Sequence, residues 1–310
     1  MKTLAWIRIV CWGLVLLFLT GILICSLIGV PVLGVNLNAW EGFSWRADSR
    51  VTQGDGSGHY QVPAENIKQL DINWTAGSVE LVPYDGTEIS FSEEAFGTLT
   101  EKNSLRYGVS DGVLVIRYVK NGLLFGNQPS KKLQVMLPRE LAQSLEKIEV
   151  DSVSAKIDAT DLQAGKMKYN TTSGSITLSG LQAEEIEIDT VSGGADVQDS
   201  NAENFKISTV SGDMRLDGSF QEIRSDSTSG KLTVQDRICP TTLKANSVSG
   251  DVILTLPENK GFSVSFDSLS GAFYSDFPMR MNDGEGTYEN GGAHLNVDTV
   301  SGGFTIHKDA

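Results

Sequence analysis

The chain of 310 residues is short of histidine and cysteine, with three of each, and holds only eight prolines. So few thiols and imidazoles exclude a zinc ribbon, a histidine-rich metal centre and a disulfide-stapled scaffold. Basic residues are also short: 25 stand against 39 acidic ones, a net charge of -14. A basic surface for nucleic acid is therefore excluded as the basis of function. His59, His294 and His307 lie far apart and form no H-E-x-x-H motif. No G-x-S-x-G elbow, phosphate-binding Walker loop or dinucleotide fingerprint occurs either. What the chain does have is 40% hydrophobic and 21% charged residues, a globular balance, and 32 glycines, above the usual share of about 7%.

Charge is missing altogether from Ile9 to Val35. A membrane helix needs ~20 apolar residues, so this run predicts one. Lys2 and Arg8 precede it, which keeps the N-terminus in the cytoplasm and sends the rest outward. Trp6 and Trp12 near one end, and Trp40, Phe43 and Trp45 after the other, suit the two interfaces. A signal peptide would have a shorter apolar core of ~7–15 residues and a small-residue cleavage site, and neither is evident. Ile24 is too bulky for a lipobox at Cys25, so Cys11 and Cys25 are assigned to the membrane helix. Residues 46–62, which run through the Gly- and Ser-rich stretch Gln53 to Gly58, read as a flexible linker that includes His59.

The rest of the chain is organised by a repeat. Ser-Gly occurs at Ser173, Ser192, Ser211, Ser229, Ser249, Ser270 and Ser301, at spacings of 19, 19, 18, 20, 21 and 31. Ser154-Ala155 stands 19 earlier, and Ala76-Gly77 fits the flanking pattern. Six residues before each serine the chain is always apolar, as at Ile148, Met167, Ile186 and Phe205. Five before it is polar, and four before it is mostly apolar again, the alternation of a half-buried strand. Three before stands Asn or Asp, except at Ser208. After the glycine the alternation resumes with changed parity, which requires a bend. The Asx residue is expected to form that corner by bonding to local backbone. A period near 19 with two short strands predicts one coil of a parallel β-solenoid, or β-helix-like, repeat domain.

Residues 82–142 lose the period. Asp111-Gly112 between two apolar runs predicts a hairpin, and Leu133, Val135 and Leu137 alternate up to Pro138. This stretch is expected to be an irregular, β-rich N-terminal cap or insertion, because a terminal coil leaves an edge that needs covering. A second irregularity is expected near Asn282 to Gly292, in the 31-residue gap.

Asp151, Asp189, Asp226, Asp267 and Asp298 recur at one coil position, so coil geometry explains them better than a unique acid–base site for glycoside hydrolysis does. Calcium could use such turns, but neither the Gly-rich nonapeptide nor an EF-hand loop is present. Asn73 and Asn170 match glycosylation sequons and are assigned to the coil ladder, while Cys239 reads as a packed thiol. No catalytic, cofactor-binding or metal residue is therefore nominated, no cofactor is expected, and no particular ligand-binding residue stands out.

Thr-Val-Ser-Gly at 190–193, 209–212 and 299–302, Ser-Val-Ser-Gly at 247–250, and the Val135–Pro138 strand before them resemble the bacterial "putative adhesin" β-strand-repeat family. The resemblance spans about 67–308. It implies a surface or envelope-stress signalling context, some members being accessory proteins of Lia-type systems, and it brings no catalytic set. The sequence thus predicts a cytoplasmic N-terminus (1–8), a single-pass anchor (9–35), a juxtamembrane linker (36–66) and an all-β domain (67–308). Its expected role is non-enzymatic: structure or binding at the cell envelope, including adhesion to an envelope protein or surface ligand. The alternatives are an accessory regulatory subunit of an envelope-stress system and, less favoured, a polysaccharide-active enzyme.

Overall fold

The computed structural model describes residues 51–119 and 130–309. The anchor expected over 9–35 lies outside them. Among the described residues no helix is long and apolar enough to cross a membrane; the one helix there is the single turn Arg139–Ala142. All other regular structure among the described residues is strand, 23 of them in one mixed sheet that turns back over a single apolar core.

The repeat produces two strands per coil. The first run contains Leu145–Ser152, Gln163–Thr171, Gln182–Thr190 and residues 201–209, each parallel to the next. The second contains Lys156–Thr160, Ile176–Ser179 and residues 195–198, again parallel and in register. Ile186 stacks on Met167 and Phe205 in one run, and Leu178 on Ala159 and Val197 in the other. All six are buried. A fully buried Leu, Ile, Val or Phe contributes roughly 1.5–3 kcal/mol, so the stack is held chiefly by these inward rows.

The corner differs from the expectation in which residue builds it. The hydroxyl two residues before each serine accepts the N–H of the following glycine: Thr190 Oγ1 from Gly193 at 2.9 Å, Thr209 from Gly212 at 2.9 Å and Thr299 from Gly302 at 2.9 Å. Ser152, Thr171, Ser227, Ser247 and Ser268 do the same with the residue three on. The Asx side chain, one position earlier, points out of the sheet and cannot reach under the turn. Strand alternation explains the division, since neighbouring residues face opposite ways. Thr190→Val, which is nearly isosteric, leaves the Gly193 N–H buried and unpaired. It is expected to cost about 1–3 kcal/mol in a denaturant titration, whereas Thr190→Ser should cost far less.

The glycines serve close approach, not an unusual dihedral. A Cβ on Gly193 would strike the carbonyl oxygen of Gly174, and one on Gly212 that of Gly193. The same ladder passes from Gly250 to Gly302 and from Gly302 to Gly271. That order explains the 31-residue gap. The last coil in sequence, Ala293–Thr299 with Phe304–Lys308, sits between the coil 242–256 and the coil 261–275. The expected irregularity is present as Glu285–Glu289, which runs antiparallel to Gly261–Ser268 and covers that edge.

The other end is built similarly. Val113–Arg117 and Lys131–Pro138 form a coil outside the earlier one of Gln69–Trp74 and Gly77–Tyr84. Antiparallel strands Arg106–Ser110 and Glu88–Ala95 then cover it. The 82–142 stretch is thus part coil and part cap. Two corrections follow: the sheet is mixed, not parallel throughout, and part of the segment assigned to a linker is strand. Thr52–Gln53 pairs with residues 106–107, and His59–Pro63 with residues 88–92.

Candidate functional site

Each coil has a second corner, where the chain returns from the second run to the first, and here the coils vary. In three successive coils it turns on a left-handed residue: Asp161 (φ 53°), Gly180 (φ 67°) and Asp199 (φ 49°). The next coil lacks that residue, as the register step between Val197 and Ser200 shows, and this produces the 18-residue spacing. The coil after it gains a loop through Ile238 and Pro240, which produces the spacing of 20. Length changes confined to one side of a repeat stack commonly mark its binding side.

A shallow groove of about 480 Å³ runs across these corners. Gln163, Gln182 and Asn201 stand in register one coil apart, about 4.8 Å. Ala164, Ala183 and Ala202 form a parallel row of small side chains beside them. Gly165, Glu184, Glu203 and Gln221 form the far side. Gln143 closes one end, its amide donating to the Asp161 carbonyl at 3.2 Å, and Ile238 closes the other. Gln163, Gln182, Asn201, Glu184 and Glu203 are exposed and have no side-chain partner among the described residues. Sequence reasoning missed this row, although it lies ten residues before the serine in three successive repeats.

Asp236 lies under the Ile238 end and is 1% exposed. Its Oδ1 accepts N–H bonds from Ile238 at 3.1 Å and Phe220 at 3.3 Å, while Oδ2 has no partner. Burial pushes its carboxyl up to about 7 against the backbone bonds that favour the anion. Burial, and then Asp236, push the half-buried Cys239 thiol up to about 11, which keeps it protonated at neutral pH.

The repeated aspartates do not converge on a site. They line the outer face of the first run, sharing one register position with Asn73, Asn170, Ser208 and Asn246 of the other coils, and two of them pair sideways with those asparagines. Asn170 Nδ2 donates to Asp151 Oδ1 at 2.6 Å, and Asn246 Nδ2 to Asp226 Oδ1 at 2.7 Å. Burial raises the carboxyls of Asp151, Asp189 and Asp298; for Asp298 the neighbouring Asp267 adds to it. Beside them, Lys168 bonds Glu187 at 3.0 Å and Lys206 bonds Glu185 at 2.7 Å, and the latter bond holds the Glu185 carboxyl below its usual range. The sequon residues Asn73 and Asn170 belong to this ladder. The histidines are scattered: His59 is exposed on its strand, His294 Nδ1 lies 2.8 Å from Ser263 Oγ, and His307 Nδ1 lies 3.0 Å from Asp276. Among the described residues no group of three or more His, Cys, Asp or Glu is placed to hold a metal.

No curated protein matches the chain significantly. Among solved structures it is similar to a "putative lipid binding protein" of Parabacteroides distasonis ATCC 8503, at 15% identity and TM-score 0.49, covering 84% of this chain and 100% of that one. It is also similar to a "putative adhesin" of Bacteroides fragilis NCTC 9343, at 13% identity and TM-score 0.44, covering 81% and 96%. A "putative cell adhesion protein" of Clostridium sporogenes ATCC 15579 aligns at 12% identity and TM-score 0.26, covering 84% and 98%. The family model described as Toastrack DUF4097 matches residues 67–307, nearly the whole coil stack, and the chain belongs to that family.

Proposed function

We propose that this protein binds a ligand at the cell envelope without transforming it. In this reading residues 9–35 hold it in the membrane and the coil stack faces outward. The observation that carries the binding role is the groove at the variable corner, whose exposed amides have no side-chain partner among the described residues. Elsewhere the outer polar rows largely satisfy themselves, as the Lys168–Glu187 and Asn170–Asp151 bonds show. The uncharged run from Ile9 to Val35 supports the anchor. The non-catalytic reading is supported by the repeated carboxylates, which are spread along the ladder instead of being paired across a cleft.

Three measurements test this. Full-length protein should fractionate with membranes, and protease added to intact cells should remove the coil stack. A membrane-bound chain that stays protected under conditions that digest a surface control would overturn the outward topology. Detergent-solubilised protein should co-sediment with purified envelope fragments. Absence of co-sedimentation would overturn the binding role. An accessory signalling subunit would instead respond to replacement of residues 1–50 by an unrelated anchor.

A further inference from the structure

The groove's chemistry narrows what it can bind. Gln163, Gln182 and Asn201 repeat every coil, about 4.8 Å apart, on a backbone fixed by in-register parallel pairing. Each amide offers two N–H donors and an acceptor oxygen. Such a row favours a ligand whose own polar groups repeat at the same interval along the stack. An extended peptide advances only about 3.3 Å per residue, so laid along the row it would fall out of step within a few coils. One pyranose ring of an equatorially linked glycan advances by close to one coil spacing, and although successive rings turn over, either edge presents polar groups to the row. Ala164 and Ala202 are buried in the core, and only Ala183 is partly exposed between the amides and the carboxylates, so the groove floor is small and carries no bulky side chain.

Charge selects further. Glu184 and Glu203 stand on the groove wall one coil apart and have no cationic partner among the described residues. No lysine or arginine lines the groove. A polyanion would meet two unneutralised carboxylates with nothing to offset them, so phosphate- or carboxylate-bearing polymers are excluded.

Resting on the binding role proposed above, we propose that this groove binds a neutral, extended glycan lying along the stack axis, with about one sugar ring per coil. The Gln163, Gln182 and Asn201 amides exchange hydrogen bonds with its hydroxyl or acetamido groups, and Glu184 and Glu203 accept from hydroxyls on the other side.

The test uses the full chain in detergent micelles and calorimetric or fluorescence titration. The probes are β-1,4-linked hexamers of glucose and of N-acetylglucosamine, the corresponding dimers, and a hexagalacturonate. At least one neutral hexamer should bind, at least about tenfold tighter than its dimer, because the longer chain reaches more coils; hexagalacturonate should not bind. Gln182→Ala should weaken the hexamer about fivefold, the worth of one neutral hydrogen bond. The triple variant Gln163→Ala/Gln182→Ala/Asn201→Ala should lose detectable binding while melting as the parent does, since all three side chains are exposed. Equal affinity for dimer and hexamer, tighter binding of hexagalacturonate, or unchanged affinity in the triple variant would overturn the proposal. If no neutral hexamer binds while the protein still sediments with envelope fragments, the glycan assignment falls and the binding role stands. Loss of sedimentation as well would remove the binding role itself.

Discussion

Replacing Lys131 by alanine is expected to destabilise the fold by about 3–5 kcal/mol, the usual cost of stranding one member of a buried ion pair. Lys131 Nζ bonds Glu93 Oε1 at 2.8 Å, and the two side chains are 1% and 0% exposed. The ammonium also donates to the carbonyls of Asn103 at 2.5 Å and Val119 at 3.1 Å, and lies 4.6 Å from the Tyr118 ring centroid. Glu93 Oε2 accepts the Leu105 N–H at 2.7 Å. The pair therefore ties the covering strand Glu88–Ala95 and the loop before Arg106 to the outermost coil. Glu93→Gln alone should be similarly damaging, because it leaves the ammonium buried without its counter-charge. The double variant Glu93→Gln/Lys131→Met should recover part of the loss, since neither charge remains to be desolvated. Unfolding free energies of Lys131→Met, Glu93→Gln and the double variant, from denaturant titration, check this; strictly additive losses would show that the two residues act separately.

That pair marks where the fold could and could not be read from the sequence. The inward rows were legible because apolar, polar and apolar residues recur at fixed distances from a serine, and burial enforces that parity in every coil. The place of the corner is legible but not the side chain that builds it: spacing places the Asx residue and Thr190 next to each other, and only the facing of the strand decides which lies under the turn. Coil order was not legible at either end. Residues 113–138 lie outside 69–84, and residues 293–308 lie inside 261–275. A repeat motif specifies what one coil looks like, not which coil sits beside it. Lys131 and Glu93 come together only because of that reordering. The candidate groove was half legible: the 163, 182 and 201 amides share a phase, but an exposed polar row has no periodicity beyond the repeat itself to distinguish it from a solvated face.

Asp236→Asn is expected to stabilise the protein at pH 8 and to have almost no effect at pH 4. The carboxyl is buried, one oxygen is unpartnered, and burial raises its pKa in the folded state to about 7 from the ordinary 3.8. A raised carboxyl pKa means that the folded state holds the proton more tightly than the unfolded one. Its penalty is therefore absent below about pH 4, grows as the pH climbs, and is fully present above about pH 7. The rise from 3.8 to about 7 corresponds to at most about 4 kcal/mol. Asparagine keeps an oxygen for the Ile238 and Phe220 N–H groups and carries no charge to desolvate. Nearby Arg237 does not neutralise Asp236, because it is engaged with Asp199 and with Asp217 at 2.9 Å. Unfolding free energies of parent and variant, measured from pH 4 to pH 8, should diverge steadily with rising pH. Parallel curves would mean that Asp236 ionises without cost and that the Ile238 end of the groove does not depend on its proton. Cys239 supplies an independent reading: with the anion gone its thiol pKa should fall from about 11, so alkylation at a fixed alkaline pH should be faster in the variant.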